Sequence, residues 1–182
     1  MAPARKSNGN AEPAFDPAPM LSEHALWLES GGQQGARALL NGVNMSGRVM
    51  REAQLANAKL KDVDLSDADL TDANLEWVDL SGSYLSGAIL SGANLHGAKL
   101  RRADLSLAIA EATDLRGADL AGASLKGAKL DGADMSNANL LCTELGGTDL
   151  QGVEGLSQAQ FNKAFPDDDT KVPPHIRRTQ EP

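Results

Sequence analysis

The chain has 182 residues, a net charge of −8 and 3% aromatic residues, so by length it is one domain, without an ordinary aromatic-rich core. Asp, Asn, Lys or Ser interrupts every Leu, which excludes an apolar run of membrane-spanning length. The single Cys142 excludes an internal disulfide and points to a reducing compartment, hence the cytoplasm.

Residues 1–20 read as a disordered tail: Met1 to Pro19 is rich in Ala, Pro and Asn, starts basic and has no apolar stretch of a secretory signal. Residues 21–37 read as a capping helix and lead-in. Leu21 to Glu29 has Ser22 as N-cap, Leu21 and Leu26 at staple spacing, and Gly31-Gly32 as a stop. Its expected task is to lay Leu26, Trp27 and Leu28 over the open end of residues 38–155; a ligand site at His24 and Trp27 is the lesser reading.

Residues 38–155 are organised by one column. From Leu40 to Leu150 every fifth residue is Leu, apart from Met45, Met50, Ala110 and Met135, and two residues earlier the side chain is nearly always small. A helix turns about 100° per residue, so a period of five makes no face on it. A strand alternates with period two, so an odd spacing would put successive Leu on opposite sides. A short extended segment carrying Ala and Leu inward, followed by a two-residue corner, satisfies both spacings and makes the chain coil around its Leu column as a solenoid. Gly82, Gly87, Gly92 and Gly97 recur at the second residue after Leu, where turns tolerate or need positive φ.

Ala68-Asp69-Leu70-Thr71-Asp72, Ala93-Asn94-Leu95-His96-Gly97 and Ala118-Asp119-Leu120-Ala121-Gly122 resemble the repeats of the pentapeptide repeat family. The resemblance implies an all-β fold: a right-handed quadrilateral parallel β-helix, four pentads per coil, with short capping helices at both ends. It also makes the stretch from Leu21 similar to a lead-in helix that precedes the repeats in many bacterial members. On this fold residues twenty apart stack. Lys59, Asp79, Lys99, Asp119 and Asn139 then form a ladder of exposed ion pairs, and Lys61, Arg101 and Arg102 share their face with acids between them, which argues against nucleic-acid binding.

Departures from the repeat carry the functional information. Tyr84, Ile89 and Ile109 stand where Asp or Asn is usual, and Leu107 replaces a turn glycine. Together they make a candidate protein contact around one corner, with Trp77 a second candidate on another face. For Ile109 two arrangements fit: outward in the patch, or turned inward through a bulge to fill the space beside Ala110.

Residues 156–182 read as a second cap and an extended tail. Ser157 and Gln160 fit a capping box, and the helix runs through Phe161 and Ala164 to Pro166, with Phe161 and Phe165 sealing the last coil. Val172 to Ile176 comes next as an extended strap.

Chemistry is absent from the pattern. His24, His96 and His175 are scattered without metal-ligand spacing, Cys142 has no activating histidine near it, and the many Asp pairs belong to the repeat itself. No catalytic, cofactor or metal residue is assigned, and the chain is expected not to be an enzyme. Two functional readings remain: a protein-protein interaction module or scaffold built on a rigid β-helical rod, and, as the resemblance implies, a DNA-mimicking modulator of DNA gyrase or topoisomerase IV. Between residues 40 and 155 there are 17 acidic and 10 basic residues. A rod of about 28 Å would need on the order of sixteen negative charges to match B-DNA, which weakens mimicry. Expected partners are a protein not identified from sequence or a type II topoisomerase, with the chain a monomer or an end-to-end homodimer.

Overall fold

The computed structural model describes residues 15–178. Most of the tail assigned to 1–20 lies outside them. Helix α1 spans Ala18–Glu29, starting ahead of the expected Ser22 cap. Pro17 supplies a helical φ at the start, and the Asp16 carboxylate accepts the Ala18 N–H at 3.0 Å. Ser22 instead lies within the helix and donates its hydroxyl to the Ala18 carbonyl at 3.0 Å. The Gly stop is present, with Gly31 and Gly32 at φ +63° and +88°.

The inward face of α1 differs from the expected Leu26, Trp27 and Leu28. His24 is fully buried, Met20 and Leu21 pack against the core, Trp27 is half-buried, and Leu26 is 39% exposed. A face centred on His24 takes Met20, Leu21, Trp27 and Leu28 at offsets of three and four, while Leu26 falls about 200° away. Both ring nitrogens of His24 are engaged: Nε2 lies 3.1 Å from the Ala56 carbonyl, and Nδ1 accepts the Ala38 N–H at 3.1 Å. The ring stacks on Trp27 at 5.5 Å, and Arg37 covers the other ring.

From Leu39 onward the chain returns to itself every twenty residues. Single-residue parallel bridges pair Leu39 with Lys59, Lys59 with Asp79, and so on to Asp134 with Glu154. One twenty-residue unit is here called a tier. The Leu N–H donates to a carbonyl one tier on, as from Leu60 to Asp79 at 2.8 Å, and the bridge residue's N–H donates to a carbonyl one tier back, as from Asp79 to Ala58 at 3.0 Å. From Ala53 to Leu150 the column residue and the small residue two before it are buried, while Leu40, Val43 and Arg48 in the first pentads are half-buried. The second turn residue of each pentad from Gly42 to Gly147 has positive φ, Trp77 and Leu107 among them.

The all-β class is not upheld. Among the described residues there is no strand and no sheet, only isolated bridges and two short helices. Each pentad gives two of its five residues to a corner and has one bridge residue, so extended backbone never runs far enough to make a ladder. The expected parallel β-helix, and the solenoid description with it, is therefore replaced by a stack of turn-rich tiers joined one bridge at a time.

The fifth N–H of the pentad explains the Asp or Asn before Leu. That side chain accepts the N–H of the first turn residue: Ser66 to Asp64 at 3.0 Å, His96 to Asn94 at 3.0 Å, Ser106 to Asp104 at 3.0 Å. Asp104→Ala should therefore lower stability by about 0.5–1.5 kcal/mol, while Asp104→Asn leaves it unchanged, in urea unfolding. Equal losses in the two variants would show that the bond contributes nothing.

At the far end α2 is a four-residue helix, Gln158–Phe161, with the Ser157–Gln160 capping box present. Gln160 Nε2 also donates to the carbonyls of Met135 and Ala138, at 2.7 and 3.0 Å. The helix does not reach Ala164. Phe165 is drawn back into a bridge with Glu144, its N–H donating to Thr143 at 2.8 Å. Phe161 is buried, but Phe165 is 60% exposed and seals nothing. The expected extended strap is a turn: Ile176 N–H returns to the Pro173 carbonyl at 3.0 Å and the Ile176 side chain is buried.

Candidate contact surface

Ile89 and Ile109 face each other across a bridge, and Tyr84 bridges Asp64 on one side and Asp104 on the other. The register runs through Ala110 without a bulge, with Ala110 N–H donating to Lys129 at 2.8 Å, so Ile109 holds an outward bridge position rather than filling the column. Leu107 occupies the turn between the Asp104 and Ile109 bridges, 66% exposed and at φ +59°; its side chain leans toward Gly127 of the next tier. Tyr84 is 53% exposed, and the two Ile side chains are half-buried. The structure thus brings Tyr84, Ile89, Leu107 and Ile109 together on two neighbouring tiers.

Each member of this group gives up something local. Tyr84, Ile89 and Ile109 have no side-chain acceptor for the N–H two residues on, so Ser86, Ser91 and Glu111 lack the bond that Asp or Asn supplies elsewhere. Leu107 holds a left-handed conformation that costs a residue with a Cβ about 1–2 kcal/mol.

Trp77 stands apart. Its ring lies over Gly97 and meets His96 edge-on at 5.3 Å, and Nε1 donates to Glu76 at 3.1 Å. Despite 52% exposure it already has partners in its own corner.

Charges pair along a diagonal rather than up the expected column. Arg51–Asp69, Lys61–Asp79, Arg101–Asp119, Arg116–Asp134 and Lys126–Glu144 are each eighteen residues apart. The base follows one Leu and the acid precedes a Leu in the next tier, which gives a long cationic side chain room that a directly stacked pair lacks. At Asp69 the Thr71 hydroxyl, then Arg51, hold the carboxyl below its ordinary range despite burial. At Asp114 the Arg116 guanidinium does the same. Lys61 and Arg101 are therefore spoken for on the basic face. Among the described residues no His, Cys, Asp and Glu cluster could hold a metal ion, and no helix is long and apolar enough to cross a membrane.

His24, a lesser ligand candidate by sequence, is instead buried with both ring nitrogens on backbone groups, and sequence pattern overlooks the eighteen-residue diagonal. The diagonal had a signal: Arg or Lys directly after a Leu position, with an acid eighteen residues on.

The scaffold on a β-helical rod and the DNA mimic of gyrase or topoisomerase IV both presuppose an architecture with continuous sheets. With isolated bridges alone, neither reading is retained.

The model for pentapeptide repeats matches in eight copies, over residues 36–67, 49–87, 68–106 and 113–152. Those spans omit 107–112, the stretch holding Leu107, Ile109 and Ala110. No curated protein matches the chain. Among solved structures, the pentapeptide repeat protein Rfr23 from the cyanobacterium Cyanothece 51142 is 21% identical with a TM-score of 0.52, over 84% of this chain and 99% of that one. A pentapeptide repeat protein of the Arabidopsis thaliana thylakoid lumen is 24% identical with a TM-score of 0.40, over 63% and 75%. HetL, from the cyanobacterium Nostoc sp. strain PCC 7120, is 28% identical with a TM-score of 0.31, over 79% and 82%. The likeness to Rfr23 is one of fold. With more than half of its length matched by the repeat model, the chain belongs to the pentapeptide repeat family, whose members are characteristically non-catalytic, and it is not an enzyme.

Proposed function

We propose that this chain binds a protein partner through the outward surface of two neighbouring tiers, where Tyr84, Ile89, Leu107 and Ile109 form one apolar patch. The observation that carries the reading is Leu107: 66% exposed and held at positive φ, it occupies a turn position where half of the turns have Gly. Among the described non-Gly residues at positive φ, Leu107 is the one large aliphatic side chain, and its exposure favours contact with another molecule. The unpaired Cys142 supports a reducing, cytoplasmic setting.

The test uses substitutions that restore the repeat. Tyr84→Asn, Ile89→Asn and Leu107→Gly return the turn acceptors and relieve the left-handed strain, so the triple variant should melt no lower than the wild type. Cross-linking with mass spectrometry in cells should then show partners held by the wild type and by Trp77→Gly, and lost from the triple variant. Retention of the same partners by the triple variant would sink the proposal.

A further inference from the structure

The charges around the patch point to the chemistry of its partner. Resting on the contact surface proposed above, we infer that the occupant is a cationic amphipathic segment of another protein, two or three large apolar side chains flanked by Lys or Arg. The patch is bordered by carboxylates. Asp67 and Asp72, on the tier before it, lean over Gly87 and Gly92, the two turn glycines beside Ile89. Asp64 and Asp104 are the bridge neighbours of Tyr84, and Glu111 follows Ile109 by two residues.

None of these five carboxylates has a cationic partner among the described residues, whereas seven ion pairs occupy other positions. Asp69, which lies between Asp67 and Asp72 in sequence, is neutralised by Arg51. The unneutralised acids thus flank Tyr84 and Ile89 chiefly on the side of the preceding tier, while Lys129 beyond Ile109 and Arg102, at the corner before Asp104, lie on the opposite border. An apolar centre with an acidic rim attracts a segment of opposite charge and rejects an acidic one, since like charges brought together at an interface are costly. The rim acids serve the fold in ways that do not need their charge. Asp64 and Asp104 accept turn N–H groups, and Asp67 and Asp72 sit at positive φ, roles that Asn fills equally well.

The experiment selects short random peptides displayed on phage against the full chain, with counter-selection on the Tyr84→Asn/Ile89→Asn/Leu107→Gly variant. Survivors should carry Lys or Arg on both sides of large apolar residues. They should bind the Asp64→Asn/Asp67→Asn/Asp72→Asn/Asp104→Asn variant about tenfold or more weakly, and weaken with added salt. Thermal melting of the Asn variant should match the wild type. Patch-dependent peptides that are neutral or acidic, or that bind the Asn variant undiminished, would overturn the cationic partner and leave the contact surface standing. Failure to enrich any patch-dependent peptide would overturn both.

Discussion

Leu95→Ala should remove about 2–5 kcal/mol of stability, a large fraction of what a domain of this size holds. Leu95 is fully buried in a central tier, with Leu75 and Leu115 at the same register on either side. A cavity there cannot close by local collapse, because the tiers are held at a set separation by Leu75 N–H to Asn94 and Leu95 N–H to Asp114, both at 2.8 Å. The destabilisation should come almost entirely from the transfer and cavity costs of the lost side chain. Leu107→Ala, at a 66% exposed position with the same backbone strain before and after, should change stability by no more than about 0.5 kcal/mol. Urea unfolding followed by circular dichroism reads both. If Leu95→Ala melts with the wild type, the buried column is not what holds the tiers together.

The second large effect belongs to His24. Replacing it with Ala strands the Ala38 N–H and the Ala56 carbonyl in a dry site, at about 1–3 kcal/mol each, and removes the ring on which Trp27 stacks. Acid should do part of the same damage in the intact protein. Nδ1 accepts a backbone N–H, so a proton arriving there meets another proton. Burial, the largest influence, lowers the pKa below its ordinary 6.5; the Ala56 bond works against it and the Arg37 charge lowers it further. A folded-state pKa below the unfolded one means that the contribution is full above about pH 6.5 and declines as pH falls toward the folded value. Hydrogen exchange should show α1 protected at neutral pH and opening in mild acid while the amides near Leu95 stay protected. His24→Gln, which can accept and donate without titrating, should abolish that pH dependence. An α1 equally protected in mild acid would show that the histidine does not secure it.

How much of the structure was legible in the sequence depended on the range of the interaction. The five-residue column, the turn glycines and the Ser157–Gln160 cap are local patterns, and each appears where the sequence placed it. The Asp or Asn before Leu was visible as a rule, but its reason was not, because the accepted N–H belongs to a corner whose shape comes from the tiers. Ser22 has good N-cap chemistry, but Pro17 and Asp16 together start α1 sooner. The buried face is set by the two His24 hydrogen bonds, which leave Leu26, two residues on, about 200° away. Helical spacing places Phe165 beside Phe161, yet hydrogen bonds to the preceding tier outcompete a helix of this length, which is marginal by itself.

By itself the sequence determined the repeat, its family, the identity of the buried column and the positions where the pattern is broken. The chain's own periodicity specifies these, since each pentad must bury one Leu and turn one corner. Tertiary structure alone decided that bridging stops at single residues, that His24 rather than Leu26 is buried under α1, that Phe165 leaves the cap for a bridge, and which carboxylates beside Tyr84 and Ile89 are left without a cation. Those outcomes depend on which backbone groups and side chains compete for the same partners when successive tiers stack, which the five-residue period alone does not specify.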